Sequence, residues 1–452
     1  MNLQGTANRP GQTGLAVKVR MVNSMTDLKR LSLSSVAFCA IAASVANAQG
    51  ADFYSRDKYT AVLDRAQPEF DPEPVRLGTF SVRSAAELGV TYSDNIYVVS
   101  QNTDSGVIGR AGLTASGDTT WSVHGLGFDV SARRNEYFDQ GDESHNDLRA
   151  RLRGRLDVTR SFSLGGSVFV EDRVEPRTDI TNVFSPDRPI GVSVHGGNVD
   201  ANYVNDRVRW TNSVGIRNED YENGRQIGTG LPIDQSYRDR TVMDGRTRLS
   251  YAVSPNLAVF GQATYEQREY DTLQVFAGLP RSRDSEGYTV AGGVDFELNA
   301  LVRGDIAVGY LKEAKDDSFF EEVSGLSFDG RLQWFPTQLT TLTFNGNRRV
   351  TDTGLFDAPT AVESRAGVRV DHELRRNIVV SASANYLQYE FEEIDRKDEG
   401  TDFELSATYK MNRRVHFDTF VNRADRDVSG VQVFGDPSYG VTTIGVGVRL
   451  FP

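Results

Sequence analysis

Residues 147 to 158 read Asp-Leu-Arg-Ala-Arg-Leu-Arg-Gly-Arg-Leu-Asp-Val, with a charge at every odd position and Leu, Ala, Gly or Val at every even one. A strand points successive side chains to opposite faces, so this spacing makes one face wholly polar and the other wholly apolar. A helix would spread the same arginines around its whole circumference. The alternation recurs along the chain. Phe80, Val82, Ala86, Leu88, Val90 and Tyr92 share one face, as do Val208, Trp210, Val214 and Ile216. Tyr288, Val290, Val294, Phe296 and Leu298 form another such face, and Ile444, Val446, Val448 and Leu450 close the series.

Eighteen segments carry the pattern, near 80–92, 106–116, 121–134, 146–158, 161–173, 190–204, 207–218, 238–253, 257–270, 286–298, 301–313, 324–335, 339–350, 363–374, 378–391, 401–411, 415–424 and 439–451. Tight turns at 159–160, 205–206, 254–256, 299–300, 336–338, 375–377 and 412–414 alternate with long polar connectors at 174–189, 219–237, 271–285, 351–362 and 425–438. An even strand count with short turns at one end and long loops at the other predicts an all-β fold: a transmembrane, antiparallel, up-and-down barrel of about 18 strands. With the short turns in the periplasm, both termini are expected there too. Residues 79–452 would form the barrel, and 49–78 a short periplasmic lead with a helical turn near 57–66.

That orientation sorts the aromatics of the apolar face. Tyr92, Tyr265, Tyr310 and Tyr386 fall at the outer end. Phe162, Trp210, Tyr251, Phe296, Trp334, Tyr409 and Phe417 fall at the periplasmic end. Two girdles around an aliphatic band match the two headgroup levels of a membrane, so outer-membrane lipid is the expected neighbour of this face. A soluble sandwich would instead bury its apolar face between sheets.

The N-terminus carries an address. Lys29-Arg30, an apolar run from Val36 to Ala46, and Ala46-Asn47-Ala48 describe a secretory signal peptide cut after Ala48, with Met21 or Met25 as a plausible start. Cys39, the single cysteine, leaves with it. The first 48 residues hold five basic residues and one acid, so the net charge moves from −12 to −16. An acidic chain has no basic footprint for nucleic acid.

The lead-in Pro68-Glu69-Phe70-Asp71-Pro72, then Arg76-Leu77-Gly78-Thr79-Phe80, then Tyr92-Ser93-Asp94-Asn95-Ile96-Tyr97 resembles the opening of the Putative beta-barrel porin 2 family. Phe70 and Thr79 depart mildly from its pattern. The resemblance spans roughly residues 66–452 and implies an eighteen-strand barrel associated with exopolysaccharide export, beside a periplasmic polysaccharide-export protein. It implies no individual residue role.

No catalytic constellation, cofactor or metal site is expected. His124, His145, His195, His372 and His416 fall on separate segments without metal-ligand spacing. Ser144, His145 and Asn146 are sequence neighbours, which is poor geometry for a triad. The informative residues are polar-face charges: Arg149, Arg151, Arg153, Arg155, Arg207, Arg209, Arg246, Arg248, Arg303, Asp305, Arg365, Arg369, Asp371 and Arg449. Two readings stay open for them. They form a pore surface for glycan or anionic cargo, or they brace the wall by pairing with acids on adjacent strands. The preferred function is a glycan-conducting porin, the first rival a diffusion porin, and the second an enzyme or structural barrel with a plugged lumen. An inward-folded long loop would favour the last.

Overall fold

The computed structural model describes residues 60–452 apart from 180–185, 227–228, 277, 300, 356–357 and 432–436. The expected signal peptide and its cleavage site lie outside the described residues. Eighteen antiparallel strands form one closed barrel. They are β1 Phe80–Ser93, β2 Gly106–Thr119, β3 Gly125–Tyr137, β4 His145–Asp157, β5 Phe162–Val174, β6 Gly191–Asn205, β7 Val208–Tyr221, β8 Arg240–Ser254 and β9 Leu257–Tyr270. The rest are β10 Ser285–Leu298, β11 Val302–Lys315, β12 Val323–Thr337, β13 Thr340–Asp352, β14 Thr360–Arg375, β15 Ile378–Phe391, β16 Arg396–Lys410, β17 Val415–Gly430 and β18 Tyr439–Leu450.

Each strand pairs with its sequence neighbours, and β1 closes the ring on β18 from Ala86↔Leu450 to Ser93↔Thr443. That seam leaves one edge of the start of β1, the edge facing β18, unpaired by the barrel strands. A short strand, Val75–Leu77, turns back at Gly78 (φ 62°) and pairs with Phe80–Val82 there. Unpaired backbone is costly at membrane depth, so the lead-in satisfies an edge the last strand does not reach. At the short turns, Asp206 and Asn299 adopt positive φ, which Asn and Asp tolerate better than most residues.

The apolar face points outward. Leu113, Val168, Val199, Val214 and Val446 are 60–67 % exposed on the outer wall, a continuous apolar surface that water would not tolerate. The predicted girdle aromatics lie on this wall. At the short-turn end Tyr409 stacks with Phe417 at 6.2 Å, Trp334 is paired with Val302, and Trp210 donates its indole N–H to Thr247 at 2.9 Å. Tyr203, missed in the sequence, completes this row between Phe162 and Trp210. At the long-loop end the Tyr265 hydroxyl donates to Glu286 at 3.0 Å. Beyond the tyrosines the outer wall turns charged, with Lys312–Glu322 at 2.7 Å and Lys397–Glu399 at 3.0 Å. A polar-tipped ring with apolar wall on one side and charge on the other marks a headgroup level.

Three boundaries differ from expectation. Strand β3 starts at Gly125, because Trp121 to His124 form the connector. The stretch 392–400, left between two expected strands, holds a connection of only 392–395, and 425–430 belongs to a strand and not to the expected connector: β16 begins at Arg396 and β17 runs on to Gly430. These extensions carry polar residues on both faces, so they lack the alternation that reveals a strand inside lipid. The lead at 60–73 contains only a short 3-10 turn, Val62–Asp64.

Candidate functional site: the lumen and its two rims

The polar faces line the lumen. Of the predicted lumenal charges, Arg149, Arg151, Arg153, Arg155, Arg209, Arg246, Arg248, Arg303, Asp305, Arg365, Arg369, Asp371 and Arg449 sit on strands at the parity opposite the outward residues. Arg207 does not. It is exposed in the turn Asp206–Arg207, where its carbonyl accepts from Ala252 N–H at 2.8 Å. The period-two pattern begins one residue before the start of β7 at Val208, so sequence parity alone could not exclude it.

Carboxylates surround this lattice. Arg149 pairs with Glu171, and Arg153 bridges Asp129 and Asp118, the latter at 2.8 Å. Arg155 meets Asp157 at 3.0 Å. Arg449 holds both oxygens of Asp418 at 2.7 Å, an arrangement only the planar guanidinium fork provides. Arg365 meets Glu363 at 2.7 Å and Arg369 meets Asp371 at 2.8 Å. Arg248 pairs with Asp305, three strands away, lying over the Phe260 ring at 3.5 Å. Arg151 lies over Phe169 at 5.3 Å, and Arg303 donates to Gln333 at 2.7 Å. Some acids lie two residues along the same strand (Asp157, Glu363, Asp371), others on neighbouring strands (Glu171, Asp129, Asp418) or farther round the wall (Asp305), so wall bracing accounts for these pairs. Side chains such as Arg153 and Arg155 remain 38 % and 61 % exposed, so the pairs also face the lumen water.

An inward segment narrows the long-loop end of the lumen, and this the sequence did not show. The connector after β13 turns inward. Asp352 accepts from Arg240 and Tyr270, both at 2.5 Å, and Arg283 reaches it at 3.2 Å. The Tyr237 hydroxyl donates to the Gly354 carbonyl at 2.8 Å. Leu355 and Ala358 are fully buried against Tyr389 and Phe391. The available signal was a pair of apolar residues, Leu355 and Ala358, inside a polar connector. Next to this segment burial pushes the Tyr237 phenol up to about 12. The half-buried Glu393 carboxyl in the 392–395 connection is pushed up to about 7 by desolvation. Arg238 is also buried; that burial pulls its pKa down, but Glu175, accepting at 3.1 Å, outweighs it and holds the guanidinium charged.

The short-turn end carries a strap. The Val62 N–H donates to Thr341 Oγ1 at 3.0 Å, Arg65 pairs with Glu373 at 2.7 Å, and Asp71 pairs with Lys410 at 2.7 Å. Residues 62–73 therefore run along the rim from β13 to β17, and both described ends of the chain lie at this rim. Ser144, His145 and Asn146 do not assemble. Ser144 Oγ accepts from Tyr137 N–H at 2.9 Å, His145 is buried on the lumenal side against the Tyr137 ring, and Asn146 accepts from Arg134 on the outer wall. Among the described residues no cluster of His, Cys, Asp and Glu could hold a metal ion.

The lead-in and the barrel together match one family profile, Putative beta-barrel porin 2, across residues 67–451. The chain belongs to that family. It is an outer-membrane β-barrel porin by fold, as the resemblance implied. No curated protein matches the sequence significantly. Among solved structures, this porin is similar to the copper transporter OprC, at 10% identity and TM-score 0.47, covering 84% of this chain and 82% of that one. It is also similar to the outer membrane protein OpdK from Pseudomonas aeruginosa, at 11% identity and TM-score 0.45, covering 82% and 99%. OccAB2 from Acinetobacter baumannii matches at 12% identity and TM-score 0.46, covering 83% and 98%. Nothing about cargo follows from these likenesses.

Proposed function

We propose that this porin conducts a hydrated glycan chain across the outer membrane, with the short-turn rim and both termini on the periplasmic side. The observation that carries the reading is the paired lattice. Where a guanidinium has a carboxylate beside it, as Arg149, Arg153, Arg155, Arg248, Arg365, Arg369 and Arg449 do, the local charges cancel while donors and acceptors still face water. Such a wall offers exchangeable hydrogen bonds to hydroxyls and holds no ion tightly, and weak repeated contact is what conduction needs. The arginines are therefore assigned to bracing and to hydroxyl contact, not to an anion track. A periplasmic polysaccharide-export protein would deliver the chain to the strap-lined rim.

The test is a strain lacking the gene, scored for surface glycan, together with planar-bilayer recordings of the purified barrel. Loss of surface glycan with a conducting pore supports the reading. Intact glycan with impaired uptake of small solutes would move the assignment to a diffusion porin; the inward segment at 352–355 and 358–360, which narrows the long-loop end, instead favours a structural or enzymatic barrel with a plugged lumen as the second reading. A barrel that conducts nothing, with surface glycan intact, would make it a structural protein.

A further inference from the structure

Buried polar atoms without a partner gather on one hairpin. After β9 the chain forms two short strands, Gln274–Phe276 and Leu279–Arg281, before entering β10 at Ser285. Gln274 is paired with Arg281 across this hairpin, so their side chains share a face. Arg283 and Ser285 follow at alternate positions, and Ser285 faces the lumen between Arg268 and Lys315. Gln274 is 3% exposed, Arg283 0% and Ser285 3%. Six of their atoms and those of Arg281 have no hydrogen-bond partner: both amide atoms of Gln274, Arg281 Nε, Arg283 Nε and Nη1, and Ser285 Oγ. Folded proteins seldom leave such groups unmet, so a concentration of them marks a place that water or a ligand occupies.

The chemistry of the run narrows the ligand. The charges are already matched: Arg283 meets Asp352 at 3.2 Å, Arg281 meets Asp317 at 3.0 Å, and Lys315 lies 3.6 Å from Glu313. An added anion would leave a net charge in a buried place, which is costly. What remains open is a set of donors on nitrogen and hydroxyl, with one amide oxygen and one hydroxyl as acceptors. Tyr237 and Tyr270 flank Arg283, at 5.7 and 5.2 Å from their ring centres. Neutral hydroxyls, each able to accept and donate, match that set, and an aromatic border suits the apolar side of a sugar ring.

We propose that Gln274, Arg283 and Ser285, beside the inward segment at Asp352, form a subsite for one neutral sugar unit of the passing chain. This rests on the glycan-conducting reading and names where the chain is gripped.

The experiment is current block in planar bilayers by maltohexaose and, separately, cellohexaose. Wild-type protein should show resolvable block by at least one hexasaccharide. The double variant Gln274→Ala, Ser285→Ala should weaken that block roughly fivefold or more, the loss expected for two or more hydrogen bonds, with open conductance retained. Gln274→Asn, which keeps the amide, should retain most of it. Block that the double variant leaves unchanged would overturn the subsite while preserving the glycan reading, and would assign these atoms to water. No block of an open wild-type pore by either sugar would overturn the subsite; surface glycan in the deletion strain then decides the wider reading on its own.

Discussion

A single charge placed on the outer wall tests the assignment of the two faces. Val214 lies midway along β7, is 67% exposed, and neighbours Val199 and Gly245 across the ladders. In the membrane it meets acyl chains. Val214→Arg should destabilise the barrel by about 2–4 kcal/mol, the cost of arginine near the bilayer midplane, or roughly 30- to 700-fold in the folding equilibrium. Its neighbour Ser213 points into the lumen opposite Asp200 and Arg246. Ser213→Arg keeps its charge hydrated and gains a carboxylate across the ladder, so its effect should stay within about 1 kcal/mol. Both variants would be refolded into vesicles and unfolded in denaturant, followed by tryptophan fluorescence. Equal stabilities for the pair, or the larger loss at Ser213, would show that the faces are inverted and the lumen misassigned.

Other tests follow from the same structure. An epitope inserted after Gly430 should be labelled on intact cells, and one at Asn256 should not; reversed labelling would overturn the orientation. Replacing Arg149, Arg151, Arg153 and Arg155 with Gln leaves Glu171, Asp129, Asp118 and Asp157 without these arginines, so reversal potentials should shift toward cation preference, at up to about 1 kcal/mol of stability per pair. An unshifted potential would mean this strand does not face the conducting path. Glu393, raised from 4.5 to about 7 by burial, favours packing in its neutral form. Its contribution is complete below about pH 4.5 and disappears as pH rises through 7, so amide exchange at 352–355, corrected for intrinsic rate, should quicken over that window and lose its pH dependence in Glu393→Gln.

Much of this was legible in the sequence because lipid on one face and water on the other write a period of two into every strand. Leu148, Leu152 and Leu156 against Arg149, Arg151, Arg153 and Arg155 fix both the strand and which side of it meets lipid. Alternating connector lengths then fix the direction of each strand. Where that contrast vanishes, so does the signal: the polar extensions of β16 and β17 were read as loops, and the parity that placed Arg209 in the lumen also carried Arg207 into a turn.

Which arginine meets which acid was beyond the sequence. Arg248 finds Asp305 three strands away, through barrel curvature and stagger that no local pattern records. The inward turn at Asp352 depends on Arg240, Tyr270 and Arg283 arriving from other strands and loops, and the strap depends on Thr341 and Glu373, nearly 300 residues from Val62 and Arg65. Periodicity is a local consequence of solvent on each face, so the sequence states it outright. Pairs between distant strands, such as Arg248 with Asp305, and the narrowing of the long-loop end arise only when the ring closes and brings distant residues together.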